Sequence, residues 1–157
     1  MFLKLIIVFL VSMVPLIELR GAVPIGVGFG IPEWLVCIIA MIGNFIPVPF
    51  IFIYARRFLE WGSERKWKSF SKFCKWCLKK GEKGGKKLQK KTGNSIYPAL
   101  TLFVGIPLPG TGAWTGTLAA SMLNLDRKKS LIAISCGLIL ACTIMILLSL
   151  GLFKIFG

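Results

Sequence analysis

Histidine is absent from the sequence, and acidic residues are scarce, with only six Asp and Glu among 157 residues. The lack of histidine excludes histidine-based catalytic triads and histidine-ligated metals. Glu18 and Asp126 stand far apart in the sequence, and no feature marks them as an acid–base pair. We therefore expect no enzymatic activity, no bound metal and no cofactor.

Cysteine is also uncommon, with five residues in the chain. Cys37, Cys136 and Cys142 lie in apolar runs, which favours their interpretation as small core residues. Cys74 and Cys77 form a lone Cys-x-x-C pattern. Such a pattern needs a second pair or a βαβ context before it indicates zinc or redox chemistry. A metal shared across a dimer is the alternative interpretation.

Long runs without a charged residue are the main feature of the sequence. Residues 131–153 form a run of 23 residues without a charge, and residues 34–54 form another of 21. A helix of the first length spans about 34 Å, which exceeds the roughly 30 Å hydrocarbon core of a bilayer. Since 55% of all residues are hydrophobic, we predict an integral membrane protein.

Shorter apolar segments precede each long run. Segments of 10–14 residues are typical of re-entrant or interfacial elements. The four segments, each of 12 or 13 residues, are 5–17, 21–32, 96–108 and 113–125. The order short, break, short, long therefore occurs twice, and Gly43 can be aligned with Gly137 if a three-residue gap is allowed. Internal repeats of this kind recur in secondary transporters.

The repeated order predicts the fold class and the domain organisation. We expect an all-α integral membrane protein with two inverted repeats, each a re-entrant helical hairpin plus one transmembrane helix, joined by a basic amphipathic helix. The single membrane domain covers 1–157, with a first repeat over 1–55 (hairpin 4–32, span 34–54), a cytoplasmic basic helix and loop over 56–95, and a second repeat over 96–157 (hairpin 96–125, span 131–153).

Charge predicts the topology. Residues 56–91 contain fourteen Lys and Arg against three Glu, a net charge of +11. Cytoplasmic loops carry such an excess, so this segment and the tetrapeptide 126–129, which has three positive charges, are expected in the cytoplasm. The second hairpin then enters from the cytoplasm, the first from outside, and both termini lie outside. The alternative is that residues 5–17 cross a thin part of the bilayer with the amino terminus inside.

Aromatic residues alternate with cations in the linker at three- and four-residue intervals, which predicts an amphipathic helix in the headgroup plane. The alternative is a solvated segment that only fixes topology. No nucleic-acid recognition fold accompanies the charge, so we expect no nucleic-acid partner. The candidate membrane-surface residues are Arg56, Arg57, Trp61, Trp67, Lys68, Phe70 and Trp76.

Two Gly/Pro-rich breaks form the candidate site, because backbone groups that a break frees must be buried in protein or line a wet cavity. Glu18 and Arg20 lie at the first break, where ionisable groups are costly. Arg20 is expected to bind an anionic group and Glu18 a cation or a proton; alternatively, both form an ion pair that pins the turn. At the second break, free amides open a helix near Ala113 and favour anions. The candidate substrate-binding residues are Glu18, Arg20, Pro24, Asn44, Pro107, Pro109, Gly110, Thr111, Gly112 and Thr115.

Three motifs carry a family resemblance: ELRGAVPIG at 18–26, GNFIPVP at 43–49 and IPLPGTGAWTG at 106–116. They resemble the small multidrug export protein family of prokaryotic membrane proteins, over roughly residues 15–155. The resemblance implies a multi-pass protein of the cytoplasmic (plasma) membrane of a prokaryote.

A more distant likeness is to the DedA/VTT group, which is associated with lipid translocation and built around opposed re-entrant hairpins. The FIYAR sequence at 52–56 matches the aromatic-xxx-Arg pattern of that group. This chain lacks the additional spans usual there, so we expect a homodimer that covers the breaks.

These observations together favour a transport function. We expect a small transporter or flippase for an amphipathic, anionic-headed substrate, such as a lipid carrier or a drug-like molecule, with membrane lipids as further partners. The alternative is a non-transporting scaffold that binds anionic lipid or a partner protein through its basic amphipathic helix.

Overall fold

The computed structural model describes residues 1–15, 17–64, 71–72, 74–76, 78–79, 83, 86, 90, 93–108 and 111–156, apart from the side chains of residues 94 and 152–156. All regular elements in these ranges are helices, so the prediction of an all-helical protein is confirmed there. In chain order they are α1 (Phe2–Met13), α2 (Glu18–Gly28), α3 (Glu33–Phe45), α4 (Pro47–Ser63), a 3₁₀ turn (Gly93–Ser95), α5 (Ile96–Gly105), α6 (Ala113–Met122) and α7 (Arg127–Phe156).

Two helical stretches are long and apolar enough to cross a membrane, Glu33–Ser63 and Arg127–Gly151. In the most apolar 18 residues of each stretch, only 28% in the first and 33% in the second are buried within the molecule. Large apolar side chains are therefore exposed along both, for example Ile139 and Leu147 at 57% and 66%. A surface of this kind suits lipid rather than water.

The first long stretch differs from its prediction at two points. Its helical hydrogen bonds are interrupted at Ile46, between α3 and α4, because Pro47 has no N–H to continue them, although the backbone of Ile46 stays helical. It also continues past residue 54 to Ser63, into the segment predicted to be the linker helix. Arg56 Nε donates to Glu60 Oε1 at 2.8 Å, an i,i+4 pair that supports this extension.

The second long helix begins earlier than the predicted span. Asp126 Oδ1 accepts the backbone N–H of Lys129 at 2.9 Å, which caps the start of α7. The basic residues that precede the apolar run are therefore part of the helix, in its first turn.

The two halves of the chain interlock through their hairpins. The first arm of each hairpin packs on the long helix of its own half, α1 on α3 and α5 on α7. The second arm packs on the long helix of the other half, α2 on α7 and α6 on α4. Neither half therefore buries its own hairpin completely.

Close backbone contacts fix the first arm of each hairpin. A Cβ added to Gly43 of α3 would lie 2.7 Å from the carbonyl oxygen of Phe9 in α1. A Cβ added to Gly137 of α7 would lie 2.8 Å from the carbonyl oxygen of Thr101 in α5. Small residues at helix contacts allow backbones to approach this closely. The two aligned glycines thus make equivalent contacts in the two halves.

The interpretation of the cysteines as core residues is confirmed for Cys142 and wrong for Cys136. Cys142 of α7 is fully buried in the core, and Cys37 of α3 is partly buried against that core. The two form a disulfide across 105 residues of sequence, with their Cα atoms 6.1 Å apart. Cys136 is exposed, because an apolar run does not indicate which side of its helix faces the protein.

Candidate functional site

Some backbone groups among the described residues at the first break are satisfied by hydrogen bonds to nearby carbonyls of the same segment. The N–H of Glu18 donates to the carbonyl of Val14 at 3.1 Å, and that of Gly21 donates to Ile17 at 3.1 Å. Glu18 adopts a left-handed backbone conformation, with φ +50°. For a residue with a side chain this conformation costs on the order of 1–3 kcal/mol, so the surrounding contacts must hold it.

The second break leaves backbone groups for other residues to bind. Helix α5 ends at Gly105, α6 begins at Ala113, and no side chain of the second break itself caps α6. Gly112 precedes α6 with φ +139° and ψ −175°, a region open to glycine almost alone. Within the second break, the N–H of Leu108 donates to the carbonyl of Ile106 at 2.8 Å, and that of Thr111 donates to the carbonyl of Leu108 at 3.2 Å. The N–H groups at the start of α6 still need partners from elsewhere.

Glu18 binds the amino-terminal end of α6. Its Oε1 accepts the backbone N–H of Trp114 at 3.0 Å, and the residue is only 5% exposed. A negative charge is stabilised at a helix amino terminus. A Cβ on Gly112 would lie 2.8 Å from the carboxyl carbon of Glu18, so the absence of a side chain there is required by this contact.

Arg20 binds the end of α5 and the turn that follows it. Its guanidinium donates to the carbonyl of Leu108, to that of Ile106 at 3.4 Å and to the hydroxyl of Thr111 at 2.6 Å. The Thr111 hydroxyl lies 2.8 Å from the Ile106 carbonyl and 2.9 Å from that of Leu108. A cation here complements the negative end of α5.

The ion pair that was considered for the first break is not observed. Among the described residues, Glu18 and Arg20 form no ion pair with each other, and the pair that occurs joins Arg56 to Glu60. Both charges of the first break instead bind backbone groups of the second break. Glu18 and Arg20 therefore stabilise the turn of the second break rather than the turn in which they lie.

Two buried polar groups beside this contact lack partners with standard hydrogen-bond geometry. Asn44 of α3 is fully buried beside the Glu18 carboxylate and is its polar neighbour, although neither atom of its amide meets that geometry within the described part of the chain. The indole Nε1 of Trp114 is buried and equally without a partner among the described residues. Most buried polar groups are satisfied, so such exceptions require an explanation.

The predicted site residues fall into three groups. Glu18, Arg20, Thr111 and Gly112 meet, with Asn44 beside them, as described above. Pro107 lies between the two carbonyls that Arg20 binds, and Thr115 donates to the Gly112 carbonyl at 3.3 Å in the first turn of α6. Pro109 and Gly110 lie outside the described residues.

Pro24, the remaining predicted site residue, does not end a helix. It lies inside α2, and the helix continues through it. The chain breaks before Glu18 instead, so Pro24 does not end the first arm. Because proline has no N–H, it leaves the carbonyl of Arg20 without its usual helical partner.

The sequence missed the Trp114 indole and the two carbonyls that Arg20 binds. The carbonyls had a general signal, because they lie in the Pro/Gly-rich break just beyond α5, where backbone groups need partners outside a helix. The indole had no such signal, because its burial depends on how α6 packs against the rest of the chain.

Four of the seven candidate membrane-surface residues lie within the described ranges. Arg56 of α4 donates to Asn124, just after α6, so it joins the second hairpin to the first long helix. Trp61 and Trp76 are 51% and 56% exposed. Arg57 also belongs to α4. Trp67, Lys68 and Phe70 lie outside the described residues.

Comparison with known proteins gives one match. The family described as "Putative small multi-drug export protein" matches residues 18–144, which include α2, the second break and most of both long helices. No curated protein and no solved structure matches the chain. The matched region covers more than half of the sequence. The chain is therefore a membrane protein that belongs to the small multi-drug export protein family.

Proposed function

We propose that the protein transports an amphipathic, anionic-headed molecule across the cytoplasmic membrane of a prokaryote, with its binding site where the two breaks meet. One observation carries the proposal: Glu18 and Arg20 reach from the first break to the second, beside the buried amide of Asn44. Ionisable groups among membrane helices usually serve a substrate or ion pathway. The export role named in the family description supports the same conclusion.

The proposal includes an inverted repeat with two re-entrant hairpins. The hairpin arms have 12, 11, 10 and 10 residues, or about 15–18 Å each, roughly half of a bilayer core. The equivalent contacts of Gly43 and Gly137 support two equivalent halves. Arg56 meets Asn124, so the start of the basic linker and the basic start of α7 share one end of the bundle, as a cytoplasmic end requires.

Arg20 gives the site its preference for anions. Its guanidinium binds neutral acceptors, the carbonyls of Leu108 and Ile106 and the hydroxyl of Thr111. A carboxylate or phosphate makes stronger, charge-assisted and often bidentate hydrogen bonds to a guanidinium. An anionic headgroup therefore competes with the second break for Arg20, and its binding loosens the contact between the breaks.

Glu18 gives the site a means of coupling. Its carboxylate lies on the amino-terminal end of α6, close to the position that an anionic headgroup occupies in this proposal. Two negative charges repel each other there, so a cation or a proton on Glu18 favours substrate binding. Opposed hairpins that exchange such contacts provide alternating access.

Transport by reconstituted vesicles tests the proposal. Wild-type protein is expected to move a fluorescent phosphatidylglycerol, or a labelled amphipathic anion, faster than protein-free vesicles do. Arg20→Gln is expected to reduce that rate by at least about tenfold, since one charged hydrogen bond is worth about 1.5–3 kcal/mol. Lys4→Gln is the matched control, because Lys4 also binds a backbone carbonyl, that of Phe29, at 2.9 Å.

Two outcomes decide against this function. If Arg20→Gln moves the probe at the wild-type rate, the site lies elsewhere. If no amphipathic anion moves faster than in protein-free vesicles while the protein still binds anionic ones, the alternative of a membrane scaffold is favoured.

The homodimer and the likeness to the DedA/VTT group remain predictions within this proposal. Light scattering of the purified protein measures the oligomeric state directly. A dimer also predicts cross-links between copies from cysteines placed on the outer face of α3.

A further inference from the structure

An apolar groove of about 680 Å³ runs between α5 and α7 on the outer surface of the molecule. Pro98 and Leu102 of α5 and Ile132 and Cys136 of α7 line it. All four side chains are exposed, so the groove is open to whatever surrounds the bundle. Its position lies outside the contact between the two breaks.

The groove is preformed and its polar group is satisfied internally. The hydroxyl of Thr101 lies 3.1 Å from the carbonyl of Tyr97 and 3.0 Å from that of Ala133 on the opposite helix. Gly137 lets the backbones of α5 and α7 approach closely beside it. The walls therefore offer hydrocarbon contact rather than hydrogen bonds, and the two helices that form them are held together.

One end of the groove is positively charged. Lys129 lines that end, and its Nζ lies 5.7 Å from the centre of the Tyr97 ring. Arg127 and Lys128 are exposed in the same first turn of α7. In the described part of the chain, no carboxylate forms an ion pair with Lys129. The ammonium is thus available to an anion at the mouth of an apolar groove.

We propose that this groove binds an anionic phospholipid, with the phosphate at Lys129 and one acyl chain along the apolar walls. Lys129 and Cys136 are about 10 Å apart along α7, so the charge lies at one end and hydrocarbon contact extends from it. A lipid combines the two chemistries that the groove offers. The proposal does not depend on transport at the breaks.

Other occupants match the groove less well. A free phosphate finds a single exposed ammonium, and exposed ion pairs contribute little. A second copy placed groove to groove about a two-fold axis along the membrane normal brings both basic clusters together. Like charges then oppose the contact, whereas a lipid phosphate neutralises them.

Native mass spectrometry of the protein released from mixed micelles tests lipid retention. The micelles contain phosphatidylglycerol and phosphatidylcholine in equal amounts with identical acyl chains. Wild-type protein is expected to retain phosphatidylglycerol about fivefold better, the factor that one lysine near an anionic phosphate contributes. Lys129→Gln is expected to abolish the preference. Lys128→Gln removes the same charge outside the groove and is expected to keep most of it.

Groove-filling variants test the apolar part. Cys136→Phe and Leu102→Phe place a ring in the groove from opposite walls, at exposed positions that tolerate size. Each is expected to reduce the retention of both lipids several-fold. Glycerol phosphate, which has the headgroup chemistry without the chains, is expected not to displace the lipid. The elution volume and the helical circular dichroism of every variant show whether it folds.

Four outcomes overturn the proposal. The first is that wild-type protein retains both lipids equally. The second is that Lys128→Gln lowers the preference as strongly as Lys129→Gln, which indicates a diffuse basic surface. Both folded Phe variants retain lipid normally, which places the binding elsewhere. Finally, Cys136 cross-links to Cys136 of a second copy in lipid vesicles, which makes the groove an interface between copies.

Discussion

The two breaks of the chain differ in how their backbone groups are satisfied. In the first, described backbone groups pair within the turn, as in the hydrogen bond from Glu18 N–H to the Val14 carbonyl. In the second, such pairs also occur, from Leu108 N–H to the Ile106 carbonyl and from Thr111 N–H to the Leu108 carbonyl. Side chains from the first break additionally bind the carbonyl of Leu108 and the N–H of Trp114 there. The ionisable residues of this contact, Glu18 and Arg20, thus both lie in the first half, although both halves have the same order of helices. They stabilise the turn of the second half.

Removing Arg20 is expected to have the largest effect on this asymmetry. Arg20→Ala leaves the carbonyls of Leu108 and Ile106 without the charged donor, and a hydrogen bond to a charged group contributes about 1.5–3 kcal/mol. We expect the free energy of unfolding in mixed micelles to fall by on the order of 3 kcal/mol. Lys4→Ala, which removes one exposed lysine–carbonyl bond to Phe29, is expected to cost under about 1 kcal/mol. Equal losses in the two variants contradict the special role of the contact between the breaks.

A methyl group on Gly112 is expected to be the second most damaging change. Gly112→Ala imposes a backbone conformation that costs at least about 2 kcal/mol and also displaces the Glu18 carboxylate. Gly30→Ala is the matched control, since Gly30 also has a positive φ, +70°, but nothing lies within 4 Å of the added Cβ. The control is expected to cost about 1 kcal/mol.

A double-mutant cycle separates the two causes of the Gly112 effect. If the carboxylate contact matters, Gly112→Ala costs less in a Glu18→Ala background than in the wild type. Thermal unfolding of the four proteins gives the coupling. Strictly additive losses mean that the backbone conformation alone explains the effect.

The sequence predicted the order of the helices because apolar run lengths and Gly/Pro breaks are local properties. It also singled out Glu18 and Arg20, because charges beside apolar runs are costly wherever they pack. It could not predict their partners at Leu108 and Trp114. Those contacts join residues 88 and 96 positions apart, and they depend on how the two hairpins pack.

Two further features depended on tertiary contacts that no local pattern encodes. Helix α4 was expected to end near residue 54, but Arg56 binds both Glu60 and Asn124, which favours its continuation. The disulfide between Cys37 and Cys142 joins two apolar runs whose successive helical turns have a similar apolar composition. Spacing alone does not determine which faces of two apolar helices meet.

The two halves differ in their charged contacts, but we expect their helix packing to be equally sensitive to an added methyl group. Gly43→Ala and Gly137→Ala each force a methyl group against a backbone carbonyl, that of Phe9 or Thr101, and overpacking typically costs 1–3 kcal/mol. We expect losses of about 2 kcal/mol in both variants, measured as the free energy of unfolding in micelles. Gly151→Ala, in open space on α7, is expected to gain up to about 1 kcal/mol. Unequal losses at Gly43 and Gly137 argue against equivalent halves.

Asn44 is expected to give the smallest change in stability and the clearest separation of stability from function. It is fully buried, and its amide makes no hydrogen bond of standard geometry with any described residue, so Asn44→Leu, an apolar side chain of similar shape, removes no such bond. Replacing a buried polar group of this kind is neutral or stabilising by up to about 1 kcal/mol. Transport is nevertheless expected to fall, because an amide beside Glu18 is lost from the site. If Asn44→Leu instead unfolds more easily and transports normally once folded, the amide serves the fold, and its position beside the breaks has no part in substrate binding.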